Sequence, residues 1–404
     1  MNWLRVKLGS LASDEPYAFV GGPFGSKLTS RDYVDEGIPV IRGSNLNGGR
    51  FLEMKDFVFV SEEKIRRDLS SNLARPLDLV FTQRGTLGQV AIIPENGIYE
   101  KYVVSQSQMK LTVDEMKADR QFLYYYFSSR EVVGQILSYT SSSGVPHINL
   151  TVLRNFEVPL PPLDTQHRIA AILSAYDDLI ENNRRRIHLL EEAARLLYRE
   201  WFVHLRFPGH ERVPVIDGVP EGWERVKLAE IADITMGQSP KSVHYNEDGN
   251  GLPFHQGVTN FGDRFPSHKT YCAVEARLAE PGDILFSVRA PVGRINITRD
   301  KIVIGRGLAA IQSKIRQQNF LFYALKSHFF KEDMIGGGAI FAAITKKDMH
   351  EVELQQPPES IVNTFMNFVQ PIDEQIENLH RSISRLSEAR DLLLPRLMNG
   401  EIQL

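Results

Sequence analysis

Apolar positions recur at alternating four- and three-residue steps in two separate stretches of the chain. The first runs Ile169, Leu173, Tyr176, Ile180, Asn183, Ile187, Leu190, Ala194, Leu197 and Trp201. The second runs Phe365, Val369, Ile372, Ile376, Leu379, Ile383, Leu386, Arg390, Leu393 and Leu397, position for position 196 residues later. A mean step of about 3.5 residues keeps one stripe facing a partner along a left-handed supercoil, so the pattern predicts two long helices that pack on each other. A helix over Ile169–Trp201 is roughly 50 Å long. Two amphipathic helices packed separately on their own domains are the alternative.

Each helix has a punctuated start. Pro161-Pro162 precedes Asp164 and Pro357-Pro358 precedes Ser360, where Asp and Ser are expected N-caps. Pro395 is expected to kink or end the second helix near Leu394, which weakens the case for Leu397 as a seam position. Asn183 lies among aliphatic neighbours, where a buried amide costs stability but fixes register; Arg390 holds the matching role in the second helix.

The repeat extends upstream of the helices. Trp3-Leu4-Arg5-Val6-Lys7-Leu8 returns as Trp223-Glu224-Arg225-Val226-Lys227-Leu228. Pro76-Leu77-Asp78-Leu79-Val80-Phe81 with Arg84 and Gly88 returns as Pro281-Gly282-Asp283-Ile284-Leu285-Phe286 with Arg289 and Gly293. Phe122-Leu123-Tyr124-Tyr125 returns as Phe320-Leu321-Phe322-Tyr323. Short β-rich runs such as 79–81, 90–93 and 302–304 lie between Gly, Pro and Asn breakers, while 120–137 and 317–334 read as helical and aromatic-rich. The expected fold is therefore mixed α/β (α+β): two tandem globular domains, residues 1–160 and 208–356, each followed by a long helix, 161–207 and 357–404. The helices are expected to pair as an antiparallel coiled coil about a pseudo-two-fold axis, with a head at each end.

Composition narrows the setting. The chain has 404 residues, enough for several cores, and its 42% apolar and 24% charged content is ordinary for a globular protein. No apolar run reaches the roughly 18 residues of a membrane span, and the start MNWLRVKLGS lacks a secretory h-region. The lone Cys272 excludes an internal disulfide or a cysteine-built zinc site. A cytoplasmic protein without membrane association is expected. With a net charge of −3, any nucleic-acid binding must rest on local basic faces.

This arrangement resembles the DNA-specificity subunit of type I restriction–modification enzymes. The resemblance rests on Gly21-Gly22-Pro23-Phe24-Gly25-Ser26-Lys27-Leu28, on Pro76 to Phe81 before Arg84-Gly85, and on Pro159-Leu160-Pro161-Pro162-Leu163 with Gln166 and Ile169. The stretch Leu379 to Leu397, ending in Asn399-Gly400-Glu401, completes it. It implies that each globular part is a target recognition domain reading one half of a split, asymmetric site in double-stranded DNA. It further implies that the helices set the gap and dock two methyltransferase subunits. Those partners would bring S-adenosylmethionine, and separate motor-nuclease (restriction/translocase) subunits would bring ATP and magnesium chemistry, with no cofactor on this chain. Half-sites one turn of B-DNA apart lie about 34 Å from centre to centre, within the span of the predicted rods.

Candidate DNA contacts follow from charge and side-chain chemistry. In the second head, Arg289, Arg294, Arg299, Lys301, Arg306, Lys314 and Arg316 form a basic stretch interrupted only by Asp300. It reads either as a phosphate-binding face or as a solvated surface. In the first head, Gln83 and Arg84 occupy the repeat-equivalent place, followed by Gln106, Gln108 and Lys110; Gln and Arg can read adenine and guanine edges. The Arg84–Arg289 equivalence also fits a loop common to both copies that positions DNA without reading it. Polar loops before each long helix add Ser141, Ser142, Ser143 and His147, and Lys346 and Lys347.

Catalytic signals are weak. Gly21 to Lys27 fails the spacing of a phosphate loop, because Gly25 is followed by Ser26 before Lys27-Leu28. The adenine-methylating tetrapeptide is absent, since Leu160-Pro161-Pro162-Leu163 and Gln356-Pro357-Pro358-Glu359 lack both its ends. Asp78 and Asp283 follow proline-bearing turns without a nuclease partner motif and read as turn formers. The expected role is a non-catalytic DNA-binding subunit. The competing expectation is a coiled-coil scaffold whose heads bind protein or other non-DNA ligands.

Overall fold

The structure, a computed structural model, describes residues 3–47, 49–139, 146–329, 343–402 and 404. The chain divides into one unit of Met1–Arg185 with His380–Leu404 and a second of Arg186–Leu379. Each division falls inside a long helix, so each unit holds one head and a piece of both helices.

In the first unit a four-stranded antiparallel sheet has the order Phe19–Gly21, Gln108–Leu111, Leu79–Thr82, Val90–Ile92. Beside it lies a five-stranded sheet ordered Tyr33–Val34, Val58–Val60, Ile38–Ile41, Tyr102–Val104, Leu73–Ala74, in which Val40 pairs with Val103 in parallel. Leu4–Lys7 and Glu157–Leu160 close the head as an antiparallel pair. The second unit repeats this strand for strand. Its four-stranded sheet is Ala232–Met236, Leu308–Ser313, Ile284–Ser287, Ile295–Ile297. Its five-stranded sheet is Tyr245–Asn246, Tyr271–Cys272, Leu252–His255, Ile302–Ile304, Leu278–Ala279, again with one parallel pair, Phe254 to Val303. Glu224–Lys227 pairs with Glu353–Gln356.

The aromatic-rich segments are helices. Arg120–Ser128 buries all of Phe122 to Phe127, the signature of a helix enclosed on every side. Ser129 breaks the expected continuous helix by capping a second one, Arg130–Ser138; Gln318–Phe329 is the counterpart of the first.

The first long helix spans Leu163–Tyr198 and continues as a wider π turn over Arg199–Val203, which buries Trp201 and Phe202. The second spans Glu359–Met398. Both start earlier than the expected caps. The carbonyl of Pro162 accepts the Thr165 and Gln166 amides, and that of Pro358 accepts Ile361 and Val362. Asp164 instead sits in the first turn, where the helix dipole favours a carboxylate. Pro395 does not end its helix: it lies within the last turn, its carbonyl accepts the Asn399 amide at 2.9 Å, and Leu397 is buried in the first core. Each helical proline removes one backbone donor, and the same helix likewise continues through Pro371.

None of the twenty seam positions is exposed. Ile169, Leu173, Leu397 and Met398 join the first head's core, while Ala194, Tyr198, Trp201, Phe365 and Val369 join the second's. Among the described residues no helix is long and apolar enough to cross a membrane.

Candidate nucleic-acid interface

One end of each head is built from loops stitched together by backbone hydrogen bonds. In the first head the strand Phe19–Gly21 leaves its sheet at Gly22, whose amide donates to the Gln108 carbonyl at 2.8 Å. Gly22 lies so close to the neighbouring turn that an added Cβ would meet the Ser105 carbonyl oxygen at 1.8 Å. The following loop is held by Gln106, whose Nε2 donates to the Gly25 and Leu28 carbonyls at 2.6 and 3.0 Å. Gln83 donates its amide to the Ser107 carbonyl (2.7 Å) and accepts from Ile148 (3.0 Å), and Arg84 bridges to His147.

The second head repeats these links. Gly237 donates to the Leu308 carbonyl at 2.9 Å, and a Cβ on it would lie 2.2 Å from the Gly305 oxygen. Val288 donates to Gly307 at 3.0 Å and accepts from Ile344 at 2.8 Å, and Arg289 bridges to Ala343. Ser239 ties the rim to its neighbours, donating to Gln256 Oε1 at 2.7 Å and accepting the Arg306 amide at 3.2 Å. The links make Gln83 equivalent to Val288, Arg84 to Arg289, Gln106 to Arg306 and His147 to Ala343.

Most exposed candidates gather on these rims: Arg84 and His147 in the first, Arg289, Arg306, Lys346 and Lys347 in the second. Lys346 and Lys347 open a short helix, Lys346–His350, capped by Thr345 with Asp348. Gln83 is half-buried, and Gln106 is exposed although its amide is spent on the loop. Arg294 is exposed on the hairpin next to the rim, its amide donating to Ser287 Oγ at 2.8 Å.

Two expectations for the first head are corrected. Gln108 is fully buried in the central strand of the four-stranded sheet, against Ser105 Oγ, so it cannot meet a base edge. Lys110 is buried too: its Nζ lies 3.4 Å from Asp78 and donates to Thr112 Oγ1 at 2.8 Å, neutralising the turn carboxylate inside the head. Asp78 and Asp283 are indeed turn formers, accepting the amides of Arg75 and Glu280 at 3.0 and 2.9 Å; burial raises the Asp283 pKa. In the second head Arg299 and Lys301 have partners within the chain. The Arg299 guanidinium stacks 3.5 Å over Phe265, and Lys301 faces Glu280 at 3.6 Å and Glu275 at 3.9 Å. Lys314 donates to the Ala229 carbonyl at 2.6 Å. Ser141, Ser142 and Ser143 lie outside the described residues.

Two rim residues escaped the sequence reading. Lys27 and Phe24 are exposed, Phe24 by 79%, on the loop that Gln106 anchors. Their signal in the sequence is the glycine-rich run 21–27 that carries them.

Known proteins share this organisation. The family model described as "Type I restriction modification DNA specificity domain" matches twice, over residues 25–192 and 220–388. A putative type I restriction enzyme MjaX specificity subunit from Methanocaldococcus jannaschii is 31% identical, over 93% of this chain and 90% of its own. The HindI specificity subunit of Haemophilus influenzae is 24% identical over 79% of this chain and 87% of its own. The crystal structure of a type I restriction–modification S subunit from M. genitalium, 18% identical, covers 98% of this chain and 96% of its own with a TM-score of 0.58, and shares the fold. With the domain matched once in each half, the chain belongs to the type I restriction modification DNA specificity family.

Proposed function

We propose that this protein is the sequence-specific DNA-binding subunit of a type I restriction–modification complex and carries no catalytic site of its own. Each head reads one half of a bipartite site, with the boundaries set out above: residues 1–160 and 208–356 as target recognition domains, 161–207 and 357–404 as spacer helices.

The observation that carries this reading is the pair of equivalent rims bearing different side chains. Gln83 and Val288, Gln106 and Arg306, and His147 and Ala343 share backbone settings but not chemistry. Two such rims read dissimilar half-sites, hence an asymmetric target. Arg84 and Arg289 are the same residue in both rims, which suits phosphate contact and positioning better than base reading. Arg306, Lys346, Lys347, Arg294 and His147 complete the proposed DNA surface.

The long helices act as the spacer, paired as an antiparallel coiled coil about a pseudo-two-fold axis. Support comes from each unit separately. In the first, Asp177 meets Arg390 at 2.5 Å and Asn183 meets Ser382 at 3.2 Å, so numbering rises on one helix as it falls on the other. In the second, Trp201 and Phe365 rings pack with centroids 5.9 Å apart. The helices also dock two methyltransferase subunits, which bring S-adenosylmethionine, and motor-nuclease subunits that use ATP and magnesium join that assembly.

The test is binding of duplex DNA by the chain with its methyltransferase partner across a salt series. Sequence-specific affinity that falls steeply with salt is expected. Salt-insensitive or absent binding favours the scaffold reading instead.

A further inference from the structure

Each head also grips the long helices through a polar cluster, which is buried in the second unit. In the second unit Arg264 is 3% exposed, and its guanidinium reaches Asp373 of the second long helix at 2.5 Å and Glu191 of the first at 2.9 Å. Tyr323, from the head's own helix, donates to the same Asp373 oxygen at 2.7 Å. Asn319 donates to the other oxygen at 2.8 Å, and Lys326 reaches Glu191 at 3.1 Å.

The first unit has a related set, in which the head's arginine pairs with an exposed aspartate next to the shared carboxylate rather than with that carboxylate itself. Tyr125 donates to Asp177 of the first long helix at 2.6 Å, Arg390 of the second long helix reaches that carboxylate at 2.5 Å, and Arg50 from the head pairs with Asp178. The equivalence is internal to the repeat. The Arg50 carbonyl accepts Ile92 N–H at 2.9 Å as that of Arg264 accepts Ile297 N–H at 2.8 Å. Tyr125 and Tyr323 end the duplicated aromatic motif, and Asp177 and Asp373 are separated by the 196-residue offset of the seam.

Such a cluster adds little net stability, because desolvating its charges offsets their attraction. The apolar cores already attach each head to the helices. What directional bonds among a guanidinium, a phenol and a carboxylate add is a single orientation, where a purely apolar contact permits rocking. A base pair advances B-DNA by about 3.4 Å and turns it by roughly 35°, so modest rocking lets a head meet a neighbouring register.

We propose that the two Arg–Tyr–Asp clusters are positioning residues that hold each recognition head in one orientation on the long helices, and thereby set the DNA spacer length the protein accepts without reading any base. This rests on the DNA-specificity reading above.

The test uses the assembled complex and its bipartite site, identified by methylation sequencing of cells carrying the full system. Duplexes with that spacer, and with one base pair fewer or more, are titrated against wild type, Tyr125→Phe with Tyr323→Phe, and Arg264→Gln. The Tyr→Phe changes remove only hydroxyls and keep the ring packing, so a folded variant is available even if Arg264→Gln unfolds. The expected result is a ratio of matched to shifted affinity about tenfold smaller in the variants, about 1.4 kcal/mol, with half-site preference unchanged. Equal weakening at all three spacers marks a merely structural role and overturns the proposal. Absence of sequence-specific binding by the wild type overturns the DNA reading, and this proposal with it.

Discussion

Asn183 donates its side-chain amide to the hydroxyl of Ser382 at 3.2 Å, joining the two long helices within the first unit. Asn183 sits in the mainly apolar seam and is only 7% exposed, and Ser382 lies beside the seam position Ile383. A pair of this kind is satisfied only when the two residues face each other, so it selects register at the expense of stability. Asn183→Leu should raise the denaturation midpoint, by about 1 kcal/mol in free energy, while loosening alignment. Thiol cross-linking of Ile180→Cys with either Leu386→Cys or Ile383→Cys checks the second part. Cross-links confined to one pair in the Asn183→Leu background would count against the register role.

Arg84 and Arg289 occupy the same backbone site in two rims whose other side chains differ. If they contact phosphates, each neutralises about one charge, and Arg84→Ala or Arg289→Ala should lower the slope of log affinity against log salt by about one. The loss should be uniform across sequences. A selective loss at one base position would show that the arginine reads an edge instead.

Gly22 sits where no side chain fits, because a Cβ would overlap the Ser105 carbonyl oxygen, which belongs to rigid backbone. Gly22→Ala must displace the loop that carries Phe24 and Lys27, at a cost of about 2 kcal/mol or more. Gly134 is the control. It lies inside the helix Arg130–Ser138 with nothing within 4 Å of an added Cβ, so Gly134→Ala should stabilise by about 0.5–1 kcal/mol. Thermal unfolding of both variants tests the contrast; equal behaviour would contradict the packing at Gly22.

The seam was legible because periodicity survives any tertiary context: every predicted position is withdrawn from solvent, Leu397 included despite Pro395. The candidate DNA surface was legible only in part. Gln106, Gln108 and Lys110 are two residues apart along the chain, yet the first lies on a turn and the others in a strand covered by neighbours on both edges. What buries Lys110 is Asp78, a residue distant in sequence, and local pattern carries no trace of that pairing. The contacts of Arg50 and Arg264 with the long helices are not legible for a related reason. Each is a lone arginine in a loop of altered length, although the duplicated motif aligns Tyr125 with Tyr323 and the 196-residue offset relates Asp177 to Asp373.

Protonation of His255 should sensitise the second head to mild acid. It ends the strand Leu252–His255, is 2% exposed, and shares a hydrogen bond of 2.8 Å with His268, which in turn reaches Asp300 at 3.0 Å. Burial, with a smaller contribution from His268, lowers its pKa to about 4. In the unfolded chain it titrates near 6.5. Between these values the unfolded state binds the extra proton, so stability is intact above pH 6.5, declines as pH falls, and levels off below 4. The total loss is on the order of 3 kcal/mol. The equivalent residue in the first head is Ile41, whose carbonyl accepts the Ser105 amide as that of His255 accepts Gly305. His255→Ile should therefore flatten the pH dependence of the second head's unfolding between pH 6.5 and 4.5, followed by hydrogen exchange in the strand Ile302–Ile304 beside it. An unchanged pH profile in that variant would assign the acid sensitivity to another group.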